Sequence, residues 1–102
     1  MHLIEILLPV ADNEGSAFPP DLYRDLAAEL TERCGGLTAF TRAPAEGRWK
    51  EDGGGVAADE IVIFEVMAES LDRGWWRACK ERLEQRFRQD EVIVRVSAVE
   101  LI

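Results

Sequence analysis

Glu60-Ile61-Val62-Ile63-Phe64-Glu65-Val66-Met67-Ala68 is the stretch that decides the fold. It is rich in β-branched and aromatic residues and contains neither glycine nor proline, so it reads as a strand. Because successive strand residues point to opposite sides, it splits into Val62, Phe64 and Val66 on one face and Ile61, Ile63, Glu65 and Met67 on the other. The first face is wholly apolar and demands cover. The second is mixed.

Working outward, three more segments sort in the same way. Leu3 to Leu8 is a short apolar run closed by Pro9, Leu37 to Ala43 alternates, and Glu91 to Val99 closes the chain. Their covered sides are Ile4, Ile6 and Leu8; Leu37, Ala39 and Thr41; and Val92, Val94 and Val96. Between these strands lie two helical patterns. Phe18-Pro19-Pro20-Asp21 starts the first, since proline tolerates the opening positions and Asp21 suits the positive end of the dipole. Leu22, Leu26 and Leu30 form its stripe, and Gly35-Gly36 stops it. Ser70 or Asp72 caps the second, in which Trp75, Trp76, Cys79, Leu83 and Phe87 share an arc of about 120°. Asp12-Asn13-Glu14-Gly15-Ser16 is a turn, and Pro44 to Asp59, with Gly53-Gly54-Gly55, reads as an irregular strand continuation and a hairpin connection.

The order is therefore β-α-β-β-α-β. Two short βα units joined by a hairpin predict a single α+β, ferredoxin-like domain over residues 1–102. Its sheet would be four-stranded and antiparallel in the order 4-1-3-2, with both helices on one face. A chain of 102 residues is too short for two independent cores, and its 47% hydrophobic content argues against disorder.

Charge narrows the function. A formal net charge of −8 opposes nucleic-acid binding, which needs a basic footprint on the phosphates, and opposes an acidic membrane surface. Residues 73–88 are locally basic, which suits a solvated helix face complementing its acidic neighbour. Cys34 and Cys79 follow no metal-ligand spacing and fall on apolar stripes, so neither a metal site nor a disulfide framework is expected. The apolar start lacks a basic leader, which points to a cytoplasmic protein.

The mixed face carries the candidate site. It keeps Leu3, Leu7, Phe40, Ile61, Ile63, Met67 and Ile93, more contiguous apolar area than a free sheet face normally leaves in water. That excess predicts a homodimer through this face. In the order 4-1-3-2 the same face sets Arg95, Glu5, Glu65 and Arg42 on successive strands. A hairpin without a bulge would place Arg42 opposite Glu65, although Gly47 makes that register uncertain.

Gly36-Leu37-Thr38, Gly47-Arg48-Trp49 and Arg86-Phe87-Arg88-Gln89-Asp90-Glu91-Val92 resemble a family of small uncharacterised bacterial proteins, a domain of unknown function, over the last two-thirds of the chain. More broadly the architecture resembles the dimeric α/β-barrel proteins, which include small monooxygenases, isomerases and haem-linked enzymes. That resemblance implies two sheets packed face to face. A haem-linked member would supply a well-placed histidine, and here His2 is the only one. Tautomerases of this size use a proline at the position His2 occupies. The stacked aromatics of ferredoxin-like RNA binders, the paired-cysteine loop of metal carriers and the supporting motif of acylphosphatases around Asn13 are all missing.

Two readings follow. With no motif to read, the first is a non-enzymatic homodimeric ligand-binding or interaction module. The second is a cofactor-free enzyme, isomerase- or monooxygenase-like, acting on a small organic molecule in a cavity on the open face. There Glu5 or Glu65 is the candidate general base, and Arg42, Arg95 and Trp49 are the candidate substrate-binding residues.

Overall fold

The computed structural model describes the backbone of residues 1–34, 38–50 and 56–102, and the side chains of residues 1–34 and 61–102. The elements are β1 (His2–Pro9), α1 (Pro20–Cys34), β2 (Thr38–Lys50), β3 (Val56–Ala68), α2 (Arg73–Arg86) and β4 (Ile93–Ala98). The expected helix stop at Gly35-Gly36 and the hairpin connection at Gly53-Gly54-Gly55 lie outside the described residues.

The sequence pattern predicts a four-stranded antiparallel sheet in the order 4-1-3-2; the structure keeps that neighbour order and corrects the make-up of the sheet. The sheet beneath the helices is three-stranded and antiparallel, with β1 between β3 and β4. β2 runs along the outer edge of β3, so the strands follow one another as β2-β3-β1-β4, but it is not an equivalent fourth member. Among the described residues of β2, Thr38, Ala39 and Phe40 pair beside the core, with Glu65, Phe64 and Ile63. The register then shifts between Phe40 and Ala45, and Ala45 to Lys50 pair with Ile61 to Val56, from the last pair of the β1 ladder, Pro9↔Ile61, outward. Pro44 lies within the shift, and a residue without an N–H cannot donate to a ladder. The result is a core sheet extended by a two-stranded arm, an α+β arrangement still similar to a ferredoxin-like one.

Both helices cover the face that carries Ile4, Ile6, Leu8, Val62, Phe64 and Val66, all buried. Leu26 and Leu30 of α1 and Trp76, Cys79 and Leu83 of α2 complete that core with Phe18, Phe87 and Val92. Phe87 sits at its aromatic end, edge-on to Phe18 at 5.0 Å between ring centroids and tilted against Tyr23 at 5.4 Å. Coverage fails at β4. Val94 is half-buried and Val96 is 40% exposed, so the predicted helix-facing side of this strand is only partly covered.

Side chains set the helix ends. Asp72, not Ser70, caps α2: its carboxylate accepts from the Trp75 N–H at 3.1 Å and from Arg33 at 3.3 Å. At the other end Arg88 takes a left-handed conformation, φ 52°, while the Phe87, Arg88 and Gln89 N–H groups donate back into the last turn. The basic face of α2 meets acidic α1 as expected, with Arg82 on Glu29 at 2.7 Å.

Glu84 ties α2 to the start of β4. Its Oε2 accepts from Lys80 Nζ at 2.6 Å and from the Val92 N–H at 3.0 Å. The Lys80 hydrogen bond, with the Val92 N–H behind it, holds the Glu84 carboxyl below its ordinary pKa. A carboxyl depressed in the folded state contributes stability above its unfolded pKa and loses it as pH falls through the folded one. Glu84→Gln is therefore expected to flatten the acid limb of stability against pH, followed by chemical denaturation from neutral pH down to about pH 3. An unchanged acid limb would show that this carboxylate adds nothing there.

Candidate functional site

The face of the sheet turned away from the helices is built around the central strand β1. Its odd-numbered residues Leu3, Glu5 and Leu7 point there because its even-numbered ones are in the core. The register sets Glu5 directly opposite Glu65 on one side and opposite Arg95 on the other. Arg95 Nε donates to Glu5 Oε1 at 3.0 Å, with the Glu5 side chain 19% exposed and that of Arg95 55% exposed. Leu3 faces Met67 one step along the sheet, and Leu7 faces both Ile63 and Ile93 on the other side. A polar row of two carboxylates and one guanidinium is thus bordered by apolar cross-strand pairs.

Of the residues singled out from sequence, Glu5, Glu65 and Arg95 are brought together. Across β2 the neighbour of Glu65 is Thr38, not Arg42. Trp49 pairs with Ala57 on the arm, roughly 25 Å along the strand from Glu65 at ordinary strand rise. The side chains of Arg42 and Trp49 lie outside the described residues.

Met67 is 50% and Ile93 51% exposed, two large apolar side chains open to solvent on either side of the polar row. A ligand seated here would meet carboxylates at the centre and hydrocarbon around them. Such a surface suits a small organic cation or zwitterion.

Other reactive groups lie elsewhere. Burial pushes the Cys79 thiol up to about 11 and raises that of Cys34, so both are poor nucleophiles. Trp76 is buried, and Trp75 packs edge-on against it at 4.7 Å with the guanidinium groups of Arg33 and Arg82 over its ring. Both rings pack where their place on the helix stripe predicts. Among the described residues no cluster of three or more His, Cys, Asp or Glu side chains is placed to hold a metal ion. No described helix is long and apolar enough to cross a membrane.

No protein-family model matches the chain, and no curated protein matches it either. The resemblance to a domain of unknown function therefore rests on its three short motifs. Solved structures do match. A phage SAM lyase in complex with S-methyl-5'-thioadenosine is similar with a TM-score of 0.67 at 16% identity, over 94% of this chain and 79% of that one. The phage SAM lyase in its apo state is similar with a TM-score of 0.60, also at 16% identity, over 94% and 78%. The similarity is one of fold. It nevertheless corrects the reading of this chain as a non-enzymatic module, which rested on the apolar open face and the want of a recognisable motif: the fold it shares almost end to end is one on which an enzyme is built.

Proposed function

We propose that this protein is an enzyme that cleaves a sulfonium nucleoside, with S-adenosylmethionine as the lead substrate, on the open face of its sheet. The observation that carries the reading is the Glu5–Glu65 carboxylate pair set among apolar side chains, on a fold similar to that of a SAM lyase.

The chemistry suits such a surface. S-Adenosylmethionine exceeds S-methyl-5'-thioadenosine by a small amino-acid fragment, so the bond that must break joins the sulfonium to the side-chain γ-carbon. Its electron pair stays on sulfur as the neutral thioether. If the substrate's own carboxylate oxygen forms the new bond to that carbon, the other product is a lactone and no external nucleophile is needed. Positive and negative charge cancel in this step, so a poorly solvated apolar setting favours the transition state over the separated charges. A carboxylate pressed against the sulfonium would do the opposite, by stabilising a charge that the reaction removes. Glu5 and Glu65 are therefore assigned to the substrate's ammonium group, whose charge persists, while Leu7, Ile63 and Ile93 border the reacting sulfur. Arg95 orients Glu5.

A second copy of the chain is the proposed cover. Two such faces can meet about a two-fold axis and enclose the polar row, and a stable meeting should bury on the order of 1,200 Å² or more in total.

The direct test is incubation of the purified protein with S-adenosylmethionine and chromatographic detection of S-methyl-5'-thioadenosine, alongside light scattering at micromolar concentration. Product formation and a dimer are the expected results. Intact substrate after long incubation would overturn the activity, and a monomer would overturn the cover.

A further inference from the structure

On the opposite side of the molecule, α2 stops short of covering the edge strand β4. The uncovered strip forms a crevice of about 130 Å³ between the two elements. Its apolar lining is Leu71, Trp76, Val94 and Val96, and its rim carries Arg73, Arg77 and Lys80. We propose that this crevice binds a small carboxylate with an aromatic or branched apolar body. The carboxylate lies between Arg73 and Arg77, and the body lies against Trp76 and the two valines.

Three observations point the same way. The first is shape and lining. The open crevice has about the volume of a single benzene-sized ring, and its floor is apolar. Val96 is 40% exposed although it stands on the helix-facing side of β4, so a buried-type position lacks the neighbour that would complete it.

The second is charge. Arg73, Arg77 and Lys80 recur along one side of α2 at helical spacing, on a protein whose formal net charge is −8. Lys80 is engaged with Glu84 at 2.6 Å and Glu91 at 3.8 Å. Among the described residues neither Arg73 nor Arg77 has a carboxylate partner. Arginine pairs seated one helical turn apart suit a planar bidentate anion.

The third is rigidity. Trp76 is held edge-on by Trp75, which in turn lies under the guanidinium groups of Arg33 and Arg82. Glu84 fixes the beginning of β4 to the same helix. The wall and floor of the crevice are therefore set before a ligand arrives, which lowers the cost of binding.

The site is independent of the open sheet face, and its test does not depend on any activity there. The probe is benzoate, titrated into the isotope-labelled whole protein while the Trp76 indole N–H and the Val94 and Val96 methyl signals are followed by NMR. Saturable shifts confined to α2 and β4 are expected, with the millimolar affinity that suits so small a ligand. Arg73→Gln and Arg77→Gln, both at exposed positions, should each weaken binding about tenfold, as loss of a charge-assisted hydrogen bond does. Benzyl alcohol, of like shape but neutral, should bind about tenfold more weakly than benzoate for the same reason. Val96→Phe should fill the crevice and abolish the shifts. Equal binding of benzoate and benzyl alcohol, equal binding to the arginine variants, or shifts mapping to the open face would each overturn the proposal. So would crevice signals that move with protein concentration alone, which would make a second copy of the chain the occupant.

Discussion

Phe64→Ala should lower the unfolding free energy by about 3–5 kcal/mol, the usual cost of deleting a fully buried aromatic and leaving a cavity. Phe64 is 1% exposed, in the middle of β3. It faces Ile6 across the β1 ladder and Ala39 across β2, and its ring lies 6.5 Å from that of Tyr23 on α1. A helix can slide to close a hole, but here backbone pairing fixes the strand on both sides. The cavity should therefore persist rather than collapse. A domain of this length has a total stability of roughly 5–15 kcal/mol, so the change removes a large share. Phe64→Leu, which keeps most of the volume, should cost less than about 1.5 kcal/mol. Denaturant titration of the two variants at matched slope separates these outcomes. A loss under about 1 kcal/mol for Phe64→Ala would mean that the sheet and helices do not pack as described.

Which side of each strand is covered was legible from residue parity in β1 and β3, because one carboxylate, Glu5 or Glu65, marks the open side of each and the other side carries no charge where the two strands pair. Ile4, Ile6, Leu8, Val62, Phe64 and Val66 are buried where the alternation places them. In β4 the same alternation was less informative. Val92, Val94 and Val96 run from buried through half-buried to exposed. Periodicity reports which face a side chain occupies, whereas cover depends on where a helix ends, and that is set by Asp72 and Arg88 at the two ends of α2. The crevice beside β4 was invisible to pattern reading for that reason.

Register was the second limit. The pairing of Glu5 with Glu65 and Arg95 follows once β1 is central, because no bulge intervenes in either ladder. Between β2 and β3 a shift intervenes, and side-chain alternation cannot date such a slip. Pro44 was the available signal. It stands inside the shift, while the uncertainty was assigned to Gly47, which pairs regularly with Asp59. Function was less legible still, since a carboxylate pair on a sheet is not a motif in sequence. Only the fold similarity gives it a chemical context.

Glu65→Gln should reduce turnover of S-adenosylmethionine by about 10²-fold or more, on the reading that the carboxylate row holds the substrate's ammonium group and so sets its reacting atoms in line. The size follows from positioning: a misplacement of about 1 Å at the reacting centre costs on that order. Glu5→Gln should act in the same direction and should also release Arg95, whose guanidinium is held at 3.0 Å by the Glu5 carboxylate. S-Methyl-5'-thioadenosine supplies the internal control, because it lacks the ammonium group altogether. Its affinity, measured by calorimetry, should be unchanged in both variants. Ile63→Asp puts a charge beside the reacting sulfur in place of hydrocarbon, and in contrast it should weaken the thioether as well. If both glutamine variants turn over substrate normally, the carboxylate row is not part of the site. If they lose the thioether and the substrate alike, the row holds the nucleoside, and the assignment to the ammonium group fails.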